Sequence, residues 1–195
     1  MKKIMMTLAA IAVAATMNAQ GYIGGSLGFS SNKTNDGKVT TTGFVVAPEL
    51  GYKLDDKMSV GVALGFVYDK TKNDITDAEA KRTTFEIKPY LRYQVLTFGK
   101  ANIFVDGGLD FAMQSQKDMK PAMDFGLFVS PGISYDINET WSIAAHLNDM
   151  FSFGYHKSAV ADVAGAPDPD TRINAGLSTG GFNLGSLTFG VYYNF

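Results

Sequence analysis

The sequence contains no cysteine in its 195 residues, so disulfides, thiolate metal sites and a lipid-modified amino-terminal cysteine are all excluded. Histidine is also scarce, with two residues, which leaves few candidates for acid–base catalysis. No apolar run after residue 20 is long enough for a membrane-spanning helix. If the mature chain crosses a membrane, it must do so as a closed β-barrel, because lipid offers no hydrogen bonds to unpaired backbone groups.

An excess of positive charge is lacking as well. The chain has 17 basic and 19 acidic residues, and removal of Lys2 and Lys3 with a leader would leave 15 against 19. We therefore do not expect nucleic-acid binding. The length suits one domain. The 21 glycines, 14 phenylalanines and 9 tyrosines favour short alternating strands over helices packed around a soluble core.

The amino terminus has the pattern of a secretory signal peptide. It combines a basic start, an apolar run over Ile4–Ala15 and small residues before Ala19. We predict that residues 1–19 form the signal peptide and that residues 20–195 form one mature domain. Cleavage after Ala15 is an alternative, and a retained membrane anchor is another, although the run is short for a spanning helix.

The last nine residues alternate between apolar side chains and small or polar ones, apart from Tyr192. The apolar positions are Leu187, Phe189, Val191, Tyr193 and Phe195. Alternation with a period of two predicts a strand whose two faces meet different surroundings.

Three segments repeat one another at Pro48–Tyr52, Pro89–Tyr93 and Pro131–Tyr135, with the prolines 41 and 42 residues apart. A fixed period near 40 indicates a repeated unit, here two strands joined by a tight turn and followed by a longer loop. The final strand has the same frame, so four units predict eight strands. Because proline lacks the N–H that a central strand needs, we predict a bulge or a local break in pairing at each proline.

The predicted connections alternate in length. Tight turns follow the second, fourth and sixth strands, as at Leu54–Lys57, whereas longer polar loops are predicted at residues 31–41, 69–82, 114–121 and 154–180. Outer-membrane barrels show this asymmetry between periplasmic turns and external loops. We expect any partner contact in the longest loop, because long loops on a rigid scaffold often carry function.

Aromatic side chains on the apolar face fall at the two ends of the predicted strands. The girdle at the short-turn end comprises Tyr52, Tyr93, Tyr135, Trp141, Tyr193 and Phe195. The girdle at the long-loop end comprises Phe29, Phe44, Phe66, Tyr68, Phe85, Phe111 and Phe125. Two such rings around an aliphatic band mark the two faces of a bilayer, whereas a soluble barrel would turn its aliphatic side chains inward.

With its signal peptide, eight alternating strands and terminal Phe195, the chain resembles the small outer-membrane β-barrel family of the OmpA/OmpX type from Gram-negative bacteria. The resemblance implies an all-β fold, namely an eight-stranded antiparallel up-and-down transmembrane β-barrel preceded by a cleavable signal peptide. It also implies an outer-membrane location, with long loops outside and both termini in the periplasm. Longer members carry a periplasmic peptidoglycan-binding domain, which we do not expect in a chain that ends at Phe195.

The resemblance further implies two partners, which are the outer-membrane lipid and the barrel assembly machinery. The machinery would recognise a carboxyl-terminal assembly signal on the last strand, at Phe189, Val191, Tyr193 and Phe195. We expect a monomer without a nucleic-acid partner or a cofactor. The sequence identifies no extracellular partner.

Polar side chains between the apolar positions would face the lumen, which eight strands leave just wide enough for side chains to fill. Charges there must pair, since an isolated buried ion is costly. A turn near Phe98 would set Lys88 and Arg92 beside Asp106 and Asp110. The predicted lumen ion network is Glu49, Glu86, Lys88, Arg92, Asp106, Asp110 and Asp124.

We predict a non-enzymatic outer-membrane protein with a structural or surface-interaction role. The alternative is a narrow small-solute channel, which would need a continuous wet path through the lumen. A lipid-modifying outer-membrane enzyme is a third hypothesis. Lipid A deacylases carry serine two residues after histidine, but Asn148 holds that position after His146, and His156 falls in a predicted loop. We therefore predict no catalytic residues.

Two acidic segments, Asn73–Asp77 and Asp168–Asp170, lie in the predicted loops. Neither has the full spacing of a calcium-binding EF-hand loop. We interpret both as solvated loop residues and predict no metal site.

Overall fold

The structure, a computed structural model, describes residues 20–34, 38–147, 150–161, 168–177 and 188–195. The predicted signal peptide lies outside these residues. The strands are β1 (Gly21–Thr34), β2 (Val39–Lys53), β3 (Met58–Asn73), β4 (Ala78–Phe98), β5 (Ala101–Gln116), β6 (Met119–Lys120), β7 (Ala122–Asp136), β8 (Trp141–His146), β9 (Phe151–Lys157), β10 (Val160–Ala161), β11 (Thr171–Leu177) and β12 (Thr188–Asn194). Within the described part of the chain, no helix is long and apolar enough to cross a bilayer.

Eight of the described strands close into an antiparallel barrel. Their order around the ring is β7, β5, β4, β3, β2, β1, β12 and β8, and β8 pairs back onto β7. The final strand β12 lies between β1 and β8, so the last of the described strands pairs with the first. The predicted fold class, an eight-stranded all-β barrel, is confirmed.

Alternation along each strand separates an outer face from a lumen face. Outward positions hold exposed apolar side chains, such as Leu27 on β1 at 57% exposure and Phe189 on β12 at 62%. Inward positions on the same two strands hold Tyr22 and Tyr192, which are buried. Apolar side chains outside and polar groups inside are the arrangement of a membrane barrel and the reverse of a soluble one.

The three repeated prolines each interrupt one ladder of the barrel. Pro48, Pro89 and Pro131 pair without a break with the barrel strand that precedes theirs. On the side of the following strand, pairing lapses at the proline and at the residue before it in all three cases. The predicted local breaks are therefore confirmed, and they lie where the missing N–H would have donated.

All four predicted loops are wrong over much of their length. In the range 31–41, β1 continues to Thr34 and β2 begins at Val39, and in the range 114–121, β5 continues to Gln116 and β6 spans Met119–Lys120. In the range 69–82, β3 continues to Asn73 and β4 begins at Ala78, so a four-residue turn is left. In the range 154–180, β9 ends at Lys157 and pairs with β11, while β10 pairs with β6. The apolar pattern stops where the strands leave the bilayer, but backbone pairing does not require it and continues into polar sequence.

A bulge shifts the β4–β5 register between Gln94 and Leu96. Val95 and Leu96 are both exposed, so the alternation predicted for β4 ends at the bulge. The hairpin closes through Gly99 at a φ of +60°, a left-handed conformation that glycine adopts without strain. The turn at Gly99 and Lys100 follows Phe98 directly, in agreement with the predicted turn near that residue.

Candidate functional site in the barrel lumen

A buried arginine joins two carboxylates across the lumen. Arg92 on β4 lies directly opposite Asp106 on β5 and donates to both of its oxygens, with Nε–Oδ1 at 2.7 Å and Nη2–Oδ2 at 2.8 Å. The same Nη2 lies 3.2 Å from Oε1 of Glu49 on β2. The two carboxylate side chains are only 5–6% exposed. Bidentate geometry and burial make this a strong charge-assisted contact, in which each ion compensates the desolvation of the others.

Two tyrosine hydroxyls donate to the buried glutamate, and a third tyrosine extends the network. Tyr90 donates to Oε1 of Glu49, and Tyr192 donates to Oε2 over 2.9 Å. The hydroxyl of Tyr22 lies 2.6 Å from that of Tyr90, and Nε2 of His146 lies 2.8 Å from that of Tyr192. The network therefore reaches from β1 to β8 through hydroxyl groups as well as through ions.

Aromatic rings surround the guanidinium group of Arg92. Its Cζ lies 4.2 Å from the ring centre of Phe104 and 5.0 Å from that of Tyr90. The rings of Tyr22 and Tyr192 are 6.0 and 5.8 Å away. Cation–π attraction at these distances adds to the ion pairs.

A second ion pair lies in the lumen nearer the end of the barrel that carries the β3–β4 hairpin. Lys88 on β4 lies 3.2 Å from Oδ2 of Asp110 and 3.7 Å from Oε2 of Glu86. These side chains are 25–28% exposed, so this pair is better solvated than the cluster around Arg92. The register about the β4–β5 turn thus places Lys88 and Arg92 beside the two aspartates, as the sequence predicts.

Residues 4–195 match the family model described as outer membrane protein beta-barrel domain. The chain belongs to this outer-membrane β-barrel family. The fold is similar to that of the outer membrane protein OprG from Pseudomonas aeruginosa, at 14% identity and a TM-score of 0.53, over 90% of this chain and 96% of that one. No curated protein matches the sequence.

Two further solved structures are similar to this outer-membrane barrel. Neisserial surface protein A matches at 14% identity and a TM-score of 0.48, over 90% of this chain and 97% of that one. The transport unit of the autotransporter AIDA-I from Escherichia coli matches at 16% identity and a TM-score of 0.38, over 82% and 63%. At such identities the likenesses concern the fold alone.

Asp124 lies apart from the lumen cluster of this outer-membrane barrel. Its Oδ1 is 2.5 Å from Nδ1 of His156, and the two side chains are 42% and 32% exposed. His156 does not lie in a loop as predicted, because β9 continues through it and pairs with β7 and β11. Of the seven predicted network residues, the other six form the two clusters around Arg92 and Lys88.

In the sequence, Ser152 lies between the two histidines with Asp149 nearby, but on β9 this serine does not reach His156. Ser152 and His156 are four residues apart on one strand, which separates them by about 13 Å and exceeds hydrogen-bond reach. Asp149 lies outside the described residues. In the described part of the chain, no three histidine or acidic side chains are grouped as a metal site would require.

The aromatic residues predicted for the short-turn girdle lie on the outside of the barrel. Trp141 and Tyr193 face each other across the β8–β12 ladder with ring centres 5.1 Å apart. Phe195 lies 5.0 Å from the ring of Tyr193. Tyr52 donates to the side chain of Gln20 over 2.6 Å. On the same strand β12, Phe189 and Val191 also face outward and are exposed.

The aromatic residues in the lumen have a role that was not predicted from the sequence. Tyr90, Phe104 and Tyr192 lie at inward positions and are buried, whereas the predicted network contains only ions. The sequence does contain a signal for this role, because a few inward positions carry large aromatic side chains where the others carry small or polar ones. Their contacts depend on the register between strands far apart in sequence, such as β2 and β12.

Proposed function

We propose that this outer-membrane barrel is closed and non-enzymatic, with a structural or surface-interaction role carried by its long hairpins. The observation that supports a closed barrel is the cluster around Arg92. It takes side chains from six strands: Tyr22, Glu49, Tyr90, Arg92, Phe104, Asp106, His146 and Tyr192. An eight-stranded barrel has room for little more than such a layer.

The proposed orientation puts the long hairpins outside and the termini in the periplasm. Short connections at Leu54–Lys57 and Ile137–Thr140 lie at the same end as Gln20 and Phe195. Tight turns at the end that carries both termini are typical of bacterial outer-membrane barrels. The β3–β4 and β9–β11 hairpins at the other end then supply the surface for contacts.

Conductance across planar lipid bilayers tests the closed lumen. We expect no stable current steps from the folded protein, because ionic and aromatic side chains from six strands converge around Arg92 in the lumen. A sustained, ion-selective open state would overturn the proposal in favour of a narrow channel. Mass spectra of lipid A from cells with and without the protein test the enzymatic alternative, and we expect identical spectra.

The orientation can be tested by labelling, because the chain has no native cysteine. Thr76→Cys lies at the tip of the β3–β4 hairpin, and Glu139→Cys lies in a short turn at the other end. We expect a membrane-impermeant maleimide to label Thr76→Cys in intact cells and Glu139→Cys only after permeabilisation. The reverse pattern would invert the proposed orientation.

A further inference from the structure

The outward face of strands β1–β4 changes character above the aromatic girdle of the long-hairpin end. The last aromatic row across these strands is Phe29, Phe44 and Tyr68, followed by Thr83. The next row is Ser31, Thr42, Lys70 and Lys81, and the row beyond it is Lys33, Thr40, Lys72 and Glu79. Side chains of alternate residues share a face, so all three rows point away from the lumen.

We call the group Lys33, Lys70, Lys72, Lys81, Ser31, Thr40 and Thr42 the lysine patch. The intervening inward positions carry other charges, including Asp69 and Arg82. Strands lie about 4.8 Å apart, so the patch is about 14 Å wide. Ammonium groups among hydroxyl donors are the chemistry that binds phosphate oxygens.

Within the lysine patch, Lys70 lies directly opposite Lys81. Like charges at such positions repel each other. Glu79 lies 2.7 Å from Lys70 and Asp74 lies 2.9 Å from Lys72, but among the described residues Lys81 has no ion pair. Four lysines with two carboxylate partners leave a surplus of positive charge that an external anion would neutralise.

The height of the patch matches the headgroups of a lipid leaflet. Aromatic girdles lie at the membrane–water interface. Lys70 follows Tyr68 by two residues, which is about 7 Å along the strand. Lysine side chains at this level extend their ammonium groups to the lipid phosphates while their methylene chains stay against apolar surface.

We propose that the lysine patch binds the phosphate groups of a membrane lipid that carries more than one phosphate. The width of the patch and its paired rows favour two phosphates over one. The assignment to the outer leaflet rests on the orientation proposed above, but the binding itself does not. Such binding would hold the lipid against the outward face of β1–β4, next to the β3–β4 hairpin.

Binding can be measured by native mass spectrometry on the refolded barrel in nonionic detergent. The probes are diphosphorylated lipid A, the same lipid with its phosphates removed, and inorganic phosphate. The test variant is Lys70→Gln/Lys72→Gln/Lys81→Gln. The matched control, Lys53→Gln/Lys57→Gln/Lys100→Gln, removes the same charge from the opposite end of the barrel. Heat-dependent gel mobility verifies that each variant is folded.

We expect the patch variant to weaken binding of diphosphorylated lipid A by about 100-fold, since each lysine near an anionic surface contributes about fivefold. The control variant should bind as the natural chain does. Glu79→Gln should bind more tightly, because it removes the carboxylate that competes with phosphate for Lys70.

Three results would overturn the proposal. They are equal losses in the patch and control variants, equal binding of the dephosphorylated lipid, and binding of inorganic phosphate as tight as that of the lipid. A failure of the orientation is separate from these, because maleimide labelling would reveal it while the binding data stayed unchanged. Conductance of the barrel would likewise leave the binding data unaffected.

Discussion

The ring of Phe104 covers Gly132 directly across the β5–β7 ladder, so that a Cβ on the glycine would lie 2.3 Å from Cζ of the ring. The same pairing recurs elsewhere in the lumen. The pairs of ring and opposing glycine are Tyr22–Gly51, Tyr90–Gly61 and Tyr192–Gly24. A large ring that faces a glycine on the neighbouring strand lets a narrow barrel fill its interior without voids.

We expect Gly132→Ala to destabilise the barrel by about 1–3 kcal/mol, because the new methyl group overlaps the Phe104 ring in a packed interior. Gly107→Ala is the matched control on β5. Its Cβ meets nothing closer than 3.9 Å, so stability should stay the same or rise slightly. Urea midpoints in detergent measure both. Equal midpoints would mean that the lumen yields to an extra methyl group without cost.

Arg92→Ala should cost about 3–5 kcal/mol, because it leaves the carboxylates of Glu49 and Asp106 buried without a counter-ion. Lys70→Ala removes an exposed lysine whose Glu79 partner is also exposed, and in nonionic detergent it should change stability far less. The measurement is the shift of the urea midpoint in each variant. Similar shifts would show that water enters the lumen and that the buried ion network is dispensable.

The barrel fold, and which side chains face lipid or the lumen, could be predicted because lipid imposes a regular pattern on the sequence. Every outward position between the girdles must be apolar, so alternation alone separates Leu27 from Tyr22. The same logic set Arg92 beside Asp106, since a tight turn fixes the register of a hairpin. The apolar alternation of the outward positions ends where the strands leave the bilayer. Residues 69–82 are therefore read as a loop, although most of them continue the β3–β4 ladder.

The contacts between distant strands could not be predicted in the same way. Tyr192 meets Glu49 over 143 positions of sequence, and that contact depends on closure of the ring and on the register of every strand between. The sequence predicts a loop at His156 because residues 154–180 mix Ala, Gly, Asp and Pro without a clear alternation. Its partner Asp124 is predicted in the lumen network from its inward position on the strand, and the structure separates it from that network.

Proline tolerance should be confined to the three natural positions. Pro89 already lacks a ladder bond on the β5 side, so Pro89→Ala should change stability by less than about 1 kcal/mol. Leu91 faces the same way two residues later but pairs with both neighbours, at Val60 and Gly107. Leu91→Pro should cost about 3 kcal/mol or more. The folded fraction by heat-dependent gel mobility distinguishes them, and tolerance of both would contradict the account.

The contact between Lys70 of the lysine patch and Glu79 also predicts how the Glu79 carboxyl group titrates. A hydrogen bond from Lys70 holds the pKa of Glu79 below its ordinary value, and the positive charges of Lys81 and Lys72 act in the same direction. A carboxyl group whose pKa is lowered in the folded state stabilises the fold fully above its unfolded pKa. That stabilisation is lost as the pH falls through the lowered folded value.

Lys70→Gln should therefore raise the pKa of Glu79 towards the ordinary range, as followed by the carboxyl ¹³C signal in a pH titration of the detergent-solubilised barrel. Lys100→Gln, at the opposite end of the molecule, should leave the titration of Glu79 unchanged. High salt should produce a smaller shift of the same sign as Lys70→Gln, because both side chains are exposed and the attraction is screened. If Glu79 titrated identically with Lys70 and with glutamine in its place, the contact between them would not persist in solution. Lys70 would then have no competing carboxylate, and the tighter lipid binding expected for Glu79→Gln would not occur.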